Sequence, residues 1–326
     1  MLSKNKNAYA EFMFSDKYIE KVIATHSHLC VGLDPILDKY PTYLLQEAAE
    51  KYGKNPKGAA YAILKFNKMV IDLIDDKVPA IKPQLAYFEK YGAYGLRAFW
   101  DTVDYAHEKG LLVIADAKRG DIGTTSEAYA KAFFKGSCDE WMDETSYVDA
   151  VTVNPFLGSD GVTPFVEVGH ETGNGTIVLV KTSNPSSGEL QDMETVNGAT
   201  VSELVCDYIN NHGTKVGKYG YSDLGAVIGA TYPEEVAKFR KLLPNSLFLM
   251  PGIGYQGGDV TLLESAFDDK GTGVIIPCSR AINYAYQDVD ASQEEVRTAI
   301  SKAVDGYNKL INDTLENSNK LIWKNI

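Results

Sequence analysis

Cysteine is scarce in the 326-residue chain, and its four copies, Cys30, Cys138, Cys206 and Cys278, are far apart. No two have the close spacing of a zinc site or a redox dithiol, so we predict four reduced structural thiols. Long apolar runs are also missing: no segment approaches about 18 uncharged apolar residues, and the N-terminus has no signal-peptide core. We therefore expect a soluble, cytoplasmic protein.

Basic side chains are in deficit, with 32 Lys and Arg against 44 Asp and Glu, which gives a formal net charge of −12. This balance argues against general affinity for nucleic acid or for an anionic membrane surface. Any anionic ligand must then be held by a local group of donors. With 44% apolar and 23% charged residues, the chain is apolar enough to bury a full core.

Short apolar runs rich in β-branched residues recur along the chain, and each is followed by a longer stretch of helical periodicity. They predict eight strands, at His28–Leu33, Val78–Lys82, Leu111–Asp116, Val148–Val153, Thr176–Lys181, Leu224–Ile228, Ser246–Met250 and Gly273–Pro277. Eight strands alternating with helices favour an α/β fold, a (β/α)8 TIM barrel, over an open doubly wound sheet.

The chain contains no linker or low-complexity tract that would divide it, so residues 1–326 are predicted to form a single barrel domain. A helical extension at about residues 1–27 includes a helix at Asp16–Thr25 that could plug the barrel bottom. A long amphipathic helix follows at about residues 290–316. The irregular segment Asn184–Gly198, which follows a strand, is a candidate lid.

The C-terminal ends of barrel strands open onto one shared pocket, and here those positions carry many polar residues. Asp34 follows the first strand and Lys82 ends the second. The run Asp116-x-Lys118-x-x-Asp121 emerges directly from a buried apolar run, which disfavours a solvated helix surface. A lysine between two carboxylates is an ammonium donor whose charged form its neighbours stabilise. With Lys82 the set holds two cations and two anions, which is costly to dehydrate unless it is organised for a task.

A second group of residues follows the last two strands. Gly252, Gly254, Gly257 and Gly258 leave backbone amides open after the seventh strand, and Arg280 follows the eighth. In barrels this region commonly binds phosphate, through backbone amides and a bidentate arginine. The sequence therefore predicts a phosphate site there.

Taken in order, these motifs resemble the orotidine 5′-phosphate decarboxylase family, in particular its longer branch, found in bacteria and some protozoa. The resemblance runs from about Cys30 to Ile282 and rests on Gly32-Leu33-Asp34-Pro35, Lys82-Pro83-Gln84, Asp116-x-Lys118-x-x-Asp121-Ile122-Gly123, Thr152-Val153-Asn154-Pro155, Pro251-Gly252-Ile253-Gly254 and Ser279-Arg280-Ala281-Ile282. It implies a homodimer of (β/α)8 barrels that converts orotidine 5′-monophosphate to uridine 5′-monophosphate in de novo pyrimidine biosynthesis. It also implies that neither a metal nor an organic cofactor is needed.

The resemblance further implies roles for individual side chains. Lys82, Asp116, Lys118 and Asp121 would be catalytic, with Lys118 as donor of the proton that replaces carbon dioxide. Asp121, Ile122 and Thr125 would reach into the site of the partner subunit. The other substrate contacts would come from Asp34 on the ribose hydroxyls, Thr182 and Ser183 on the pyrimidine, Gln256 and Arg280 on the phosphate, and Asn154, Pro251, Gly252 and Gly254.

Chemistry alone supports such a site, because loss of carbon dioxide leaves electron density on a ring carbon that a fixed cation such as Lys118 can stabilise. Two alternatives stay open. A related metal-dependent sugar-phosphate decarboxylase can share the Asp-x-Lys-x-x-Asp run, but it typically needs a further carboxylate for magnesium at the second strand, where this chain has Lys82. A non-catalytic phosphate-binding barrel would have no need of both lysines and both aspartates.

Overall fold

Eight parallel strands pair in sequence order and close on themselves to form a barrel. The computed structural model describes residues 13–134, 140–142, 146–230, 233–252 and 264–324. The strands are β1 Leu29–Leu33, β2 Ala80–Pro83, β3 Leu112–Arg119, β4 Ala150–Val153, β5 Gly175–Lys181, β6 Ser222–Ile228, β7 Ser246–Leu249 and β8 Val274–Cys278. The predicted (β/α)8 barrel is confirmed, and every predicted strand overlaps an observed one.

The strands bury both of their faces, which is why they appear in the sequence as continuous apolar runs. Successive side chains alternate between two cores. Cys30 and Ile114 pack inside the barrel, whereas Val31 and Val113 pack against the surrounding helices. A single apolar run therefore serves both cores at once.

Helices surround the barrel, and local sequence signals define several of their ends. Asn55 caps the third helix by accepting hydrogen bonds from the N–H groups of Lys57 (3.0 Å) and Gly58 (3.1 Å). The described residues form α1 Phe14–Thr25, α2 Thr42–Tyr52, α3 Pro56–Ile74, α4 Leu85–Glu89, α5 Gly92–Glu108, α6 Gly123–Phe133, α7 Ser159–Thr172, α8 Gly188–Gln191, α9 Val201–His212, α10 Pro233–Leu242, α11 Arg280–Asn283 and α12 Gln293–Asn317. None of these helices is long and apolar enough to span a bilayer.

The helix α1 closes the N-terminal end of the barrel. Phe14, Tyr18 and Val22 are buried against inward-facing side chains of the strands. The Tyr18 hydroxyl donates a hydrogen bond to the carbonyl oxygen of His28 (3.1 Å). A Cβ on Gly175 would lie 2.4 Å from Phe14 Cδ1, so β5 needs glycine at its start for α1 to approach. With this end filled, the open mouth of the barrel is at the C-terminal strand ends.

Candidate active site

A cavity of about 540 Å³ opens at the C-terminal end of the barrel. Every barrel strand except β4 has a residue at or near its end on the cavity wall. Of the residues that the sequence predicts for the site, nine line it: Asp34, Lys82, Asp116, Lys118, Thr182, Ser183, Pro251, Gly252 and Arg280. The structure thus brings together side chains that are far apart in the sequence.

The carboxylate of Asp116 lies at the centre of a charged cluster. Its Oδ2 accepts hydrogen bonds from Lys82 Nζ (2.8 Å) and Gln84 Nε2 (2.9 Å). Its Oδ1 accepts from Lys118 Nζ (2.5 Å) and Thr152 Oγ1 (3.0 Å). An ionised carboxylate offers about four lone-pair positions, so these four donors satisfy it fully.

Electrostatics keep Asp116 and Lys82 charged although both side chains are buried. Burial alone would raise the pKa of the Asp116 carboxyl, but the charges of Lys82 and Lys118 outweigh burial and hold that pKa well below its usual value. Burial would likewise lower the pKa of the Lys82 ammonium, whereas Asp116 and Asp34 raise it above its ordinary value. Lys82 and Asp116 therefore form a charged pair at neutral pH.

The end of β3 has an unusual backbone conformation that directs Lys118 toward Asp116. The pairing of β3 with β4 shifts register between Ala115 and Arg119, so the strand bulges there. Lys118 lies in this bulge with φ of 45°, a left-handed conformation that residues other than glycine seldom adopt. Its backbone N–H donates to Thr152 Oγ1 (2.9 Å).

The predicted phosphate site is described in part. Gly252, with φ of 111°, and Arg280 both line the cavity. Beside them the ends of β1 and β8 lie so close together that a Cβ on Gly32 would be only 1.9 Å from Ser279 Oγ, so this position requires glycine. The other residues predicted for this site, Gly254, Gln256, Gly257 and Gly258, lie outside the described residues.

Asp34 presents an acceptor at the cavity. Its Oδ1 is buried and has no hydrogen-bond partner among the described residues. The hydroxyl of Tyr284 donates to the Asp34 carbonyl oxygen (2.7 Å) and accepts from the N–H of Ile36 (2.9 Å). These two bonds hold the backbone of the loop after β1, and with it the Cα of Asp34, in place at the cavity.

Four predicted site residues do not line the cavity of their own chain: Asp121, Ile122, Thr125 and Asn154. Asp121 Oδ1 accepts from the N–H of Ile122 (2.8 Å), whose side chain is 53% exposed. Asn154 Oδ1 accepts from the N–H of Phe156 (3.0 Å) and caps the short turn after β4. Within one chain, the structure therefore places these residues around the barrel mouth and outside the cavity.

Three further residues shape the site without having been assigned from the sequence. Gln84 and Thr152 both donate to Asp116. Gln191, in α8, donates to Thr182 Oγ1 (2.8 Å) and accepts from the Thr182 N–H (2.9 Å). It lies within the candidate lid and lines the cavity. Gln84 and Thr152 belong to segments that carry the family resemblance. Their importance to the site comes from their hydrogen bonds to Asp116, which the spacing of residues in the sequence does not predict.

A charged cluster in a cavity at the C-terminal strand ends defines the chain as a (β/α)8-barrel enzyme. A family model described as "Orotidine 5'-phosphate decarboxylase / HUMPS family" matches residues 27–294. The orotidine 5′-phosphate decarboxylase of Rhodopirellula baltica is 40% identical over 276 residues, which are 84% of this chain and 89% of that protein. The one from Caldicellulosiruptor saccharolyticus is 37% identical over 295 residues, 89% of this chain and 96% of its own length.

A solved structure agrees with these relatives. The Leishmania donovani OMP decarboxylase superposes with a TM-score of 0.68 at 28% identity, covering 92% of this chain and 99% of that one. The chain belongs to the orotidine 5′-phosphate decarboxylase family. It catalyses the decarboxylation of orotidine 5′-monophosphate in pyrimidine biosynthesis. The metal-dependent and non-catalytic alternatives are not favoured, because relatives matching most of the chain carry the decarboxylase name.

Replacing Asp116 with asparagine should lower the free energy of unfolding by about 3–5 kcal/mol at neutral pH, because it leaves Lys82 charged, buried and without its counter-ion. Since folding depresses the pKa of Asp116, its contribution is present above the pKa of the unfolded chain, about 3.9, and is lost as the pH falls toward the folded-state value. Urea unfolding between about pH 7 and pH 3 should show the gap between wild type and variant narrowing at the acid end.

Asp305→Asn is the matched control, because Asp305 pairs with Lys77 at an exposed position on the outside of the barrel. It should change the free energy of unfolding by less than about 1 kcal/mol. A gap between wild type and Asp116→Asn that is equally large at all pH values would contradict the electrostatic account.

Proposed function

We propose that the decarboxylation needs no metal or organic cofactor and depends on Lys118, which stabilises a carbanion at C6 of the pyrimidine and then protonates it to give uridine 5′-monophosphate. The observation that carries this proposal is the cluster of Lys82, Asp116 and Lys118 on the wall of the cavity. We further propose that the reaction takes place in the cytoplasm.

The chemical step requires a cation that stabilises negative charge on C6, and Lys118 can supply it. When the bond between C6 and the carboxylate breaks, carbon dioxide departs and the electron pair stays on C6. An ammonium already held beside that carbon stabilises the developing charge without reorganising, and this lowers the barrier selectively in the transition state. The Lys118 ammonium then gives one proton to C6 and becomes a neutral amine. Asp116 holds the ammonium in place until that transfer.

The rest of the cavity offers suitable partners for the nucleotide. Its volume of about 540 Å³ falls within the range common for small-molecule sites. In our proposal Asp34 Oδ1 accepts from the ribose hydroxyls, and Thr182 and Ser183 contact the pyrimidine. Arg280 and the backbone at Gly252 would bind the phosphate, which requires such local donors in a chain of net charge −12.

The segment Asn184–Gly198 is proposed to act as a lid over this cavity. Its helix α8 already borders the cavity through Gln191, which is tied to Thr182 by two hydrogen bonds. Phosphate binding at Gly252 and Arg280 would supply the energy that closes the segment over the reacting ring. Binding energy from an unreactive part of the substrate would then act in the chemical step.

A homodimer with shared active sites is proposed from the position of Asp121. Asp121 lies outside the cavity of its own chain and directly precedes Ile122, and Ile122, Phe156 and Leu157 are exposed. Ile122 precedes α6, the other two precede α7, and these helices pack together. A large exposed apolar group of this kind is typical of an interaction surface. A second copy docked there would receive Asp121, Ile122 and Thr125 at its cavity.

Lys118→Ala should abolish turnover of orotidine 5′-monophosphate while changing the affinity for uridine 5′-monophosphate by less than about tenfold, because the lysine acts on transition-state charge. Turnover is followed by absorbance with a chelator present, and product binding by calorimetry. Lys65→Ala is the matched control, since Lys65 also pairs with a carboxylate, Glu47, but on the outer surface. It should retain full activity. Substantial turnover by Lys118→Ala would refute the proposed role.

Arg280→Ala should weaken binding of the phosphorylated product by about 2–4 kcal/mol, the scale of a lost charge-assisted bidentate contact. Uridine, which lacks the phosphate, should bind the variant and the wild type equally well. Calorimetry with both ligands separates the two effects. An equal loss for both would show that Arg280 has a structural role instead.

Inactive Lys118→Ala and Asp121→Ala subunits should regenerate activity when mixed, because one site of the hybrid dimer carries both lesions and the other carries neither. Random exchange at equal amounts makes about half of the dimers hybrid, so recovery should approach about a quarter of wild-type activity. Exchange is verified with differently tagged subunits. Verified exchange without recovered activity would show that the sites are not shared.

A further inference from the structure

Thr152 is a buried threonine of β4 that faces the bulge of β3. Around the bulge, Ala115 pairs with Val151 and Arg119 pairs with Val153. Three residues of β3 therefore stand opposite a single residue of β4, which is Thr152. Its side chain has no exposed surface and does not line the cavity.

We propose that Thr152 is a positioning residue, whose hydroxyl sets the distance and direction between the Asp116 carboxylate and the Lys118 ammonium. This inference rests on the proposed role of Lys118 as the proton donor. Thr152 touches neither the cavity nor a substrate bound in it, so its effect on the reaction passes through the other two residues.

The hydroxyl connects the two residues directly. It has one proton, which it donates to Asp116 Oδ1 (3.0 Å), and it accepts from the backbone N–H of Lys118 (2.9 Å). A hydroxyl can make both bonds at once because it is a donor and an acceptor. In a regular parallel ladder the N–H of Lys118 would bond to a backbone carbonyl, and here the side chain of Thr152 takes that place.

Apart from the bond between its ammonium and Asp116, Lys118 depends on this anchor for its position. Its side chain is 44% exposed, so packing leaves the ammonium considerable freedom. Its backbone has φ of 45°, which costs energy for a lysine and persists only when surrounding bonds enforce it. Without the hydroxyl, we expect the bulge to relax and the ammonium to move away from the position where C6 would be protonated.

Thr152→Val tests the proposal, since valine keeps the shape of the side chain and removes the hydroxyl. The kcat for orotidine 5′-monophosphate should fall about 10- to 100-fold, the scale of a lost hydrogen bond to a charged group. The KM and the affinity for uridine 5′-monophosphate should stay within about threefold, because Thr152 does not line the cavity. Thr152→Ser, which keeps the hydroxyl, should restore kcat to within about threefold of wild type.

The matched control is Thr176→Val in β5. Thr176 is also a buried strand threonine, but its hydroxyl has no hydrogen-bond partner among the described residues. This variant should keep wild-type kcat. Should Thr152→Val not fold, Thr152→Ala and Thr152→Ser give the same comparison, and urea unfolding establishes that each variant is folded when assayed.

Each outcome of these assays either supports or overturns the proposed role of Thr152. A Thr152→Val enzyme with wild-type kcat would overturn the proposal, and so would a serine variant as slow as the valine variant, which would implicate packing of the methyl group. Equal losses in kcat and product affinity would indicate general damage to the site and would also overturn it. The Lys118→Ala assay is run in parallel: if that variant keeps its turnover, the proposed function fails independently of Thr152.

Discussion

The bonding of one carboxylate, that of Asp116, organises the mouth of this barrel. Its four donors come from β2, the turn after β2, β3 and β4, so a single group ties three neighbouring strands together at their C-terminal ends. The charges of Lys82 and Lys118 keep it ionised despite burial. The bulge of β3, the left-handed backbone of Lys118 and the position of Thr152 together bring donors to this one anion.

The opposite end of the barrel is built from different forces. There α1 fills the interior with Phe14, Tyr18 and Val22, and apolar packing dominates. The N-terminal end of the barrel thus contributes to stability and the C-terminal end carries the active site, as is general in this fold. Strain at Lys118 can be tolerated because the two apolar cores, inside the barrel and around it, hold the strands independently of the site.

The barrel could be predicted from the sequence because each strand buries both faces, and such a run is visible without knowledge of its partners. The strand ends were less predictable. The apolar pattern predicts that the third strand stops at Asp116, yet β3 continues to Arg119 through the bulge. The bonds that extend it come from the β4 segment, which is distant in sequence: the Asn154 N–H donates to the Arg119 carbonyl oxygen (2.7 Å), and Thr152 Oγ1 accepts from the Lys118 N–H (2.9 Å). Likewise Asp121 is recognisable from its motif, but its position outside the cavity depends on the three-dimensional course of the chain.

The seam of the barrel has a consequence for how the protein is made. β1 pairs with β8, matching Cys30 with Pro277, and Gly32 leaves room for Ser279 at the cavity rim. The edge of β1 that pairs with β8 therefore stays unpaired on the ribosome until β8 has been synthesised. An exposed strand edge invites pairing with other chains. The nascent enzyme therefore carries an open strand edge until the barrel closes, and a product truncated before β8 would keep both that edge and an incomplete cavity.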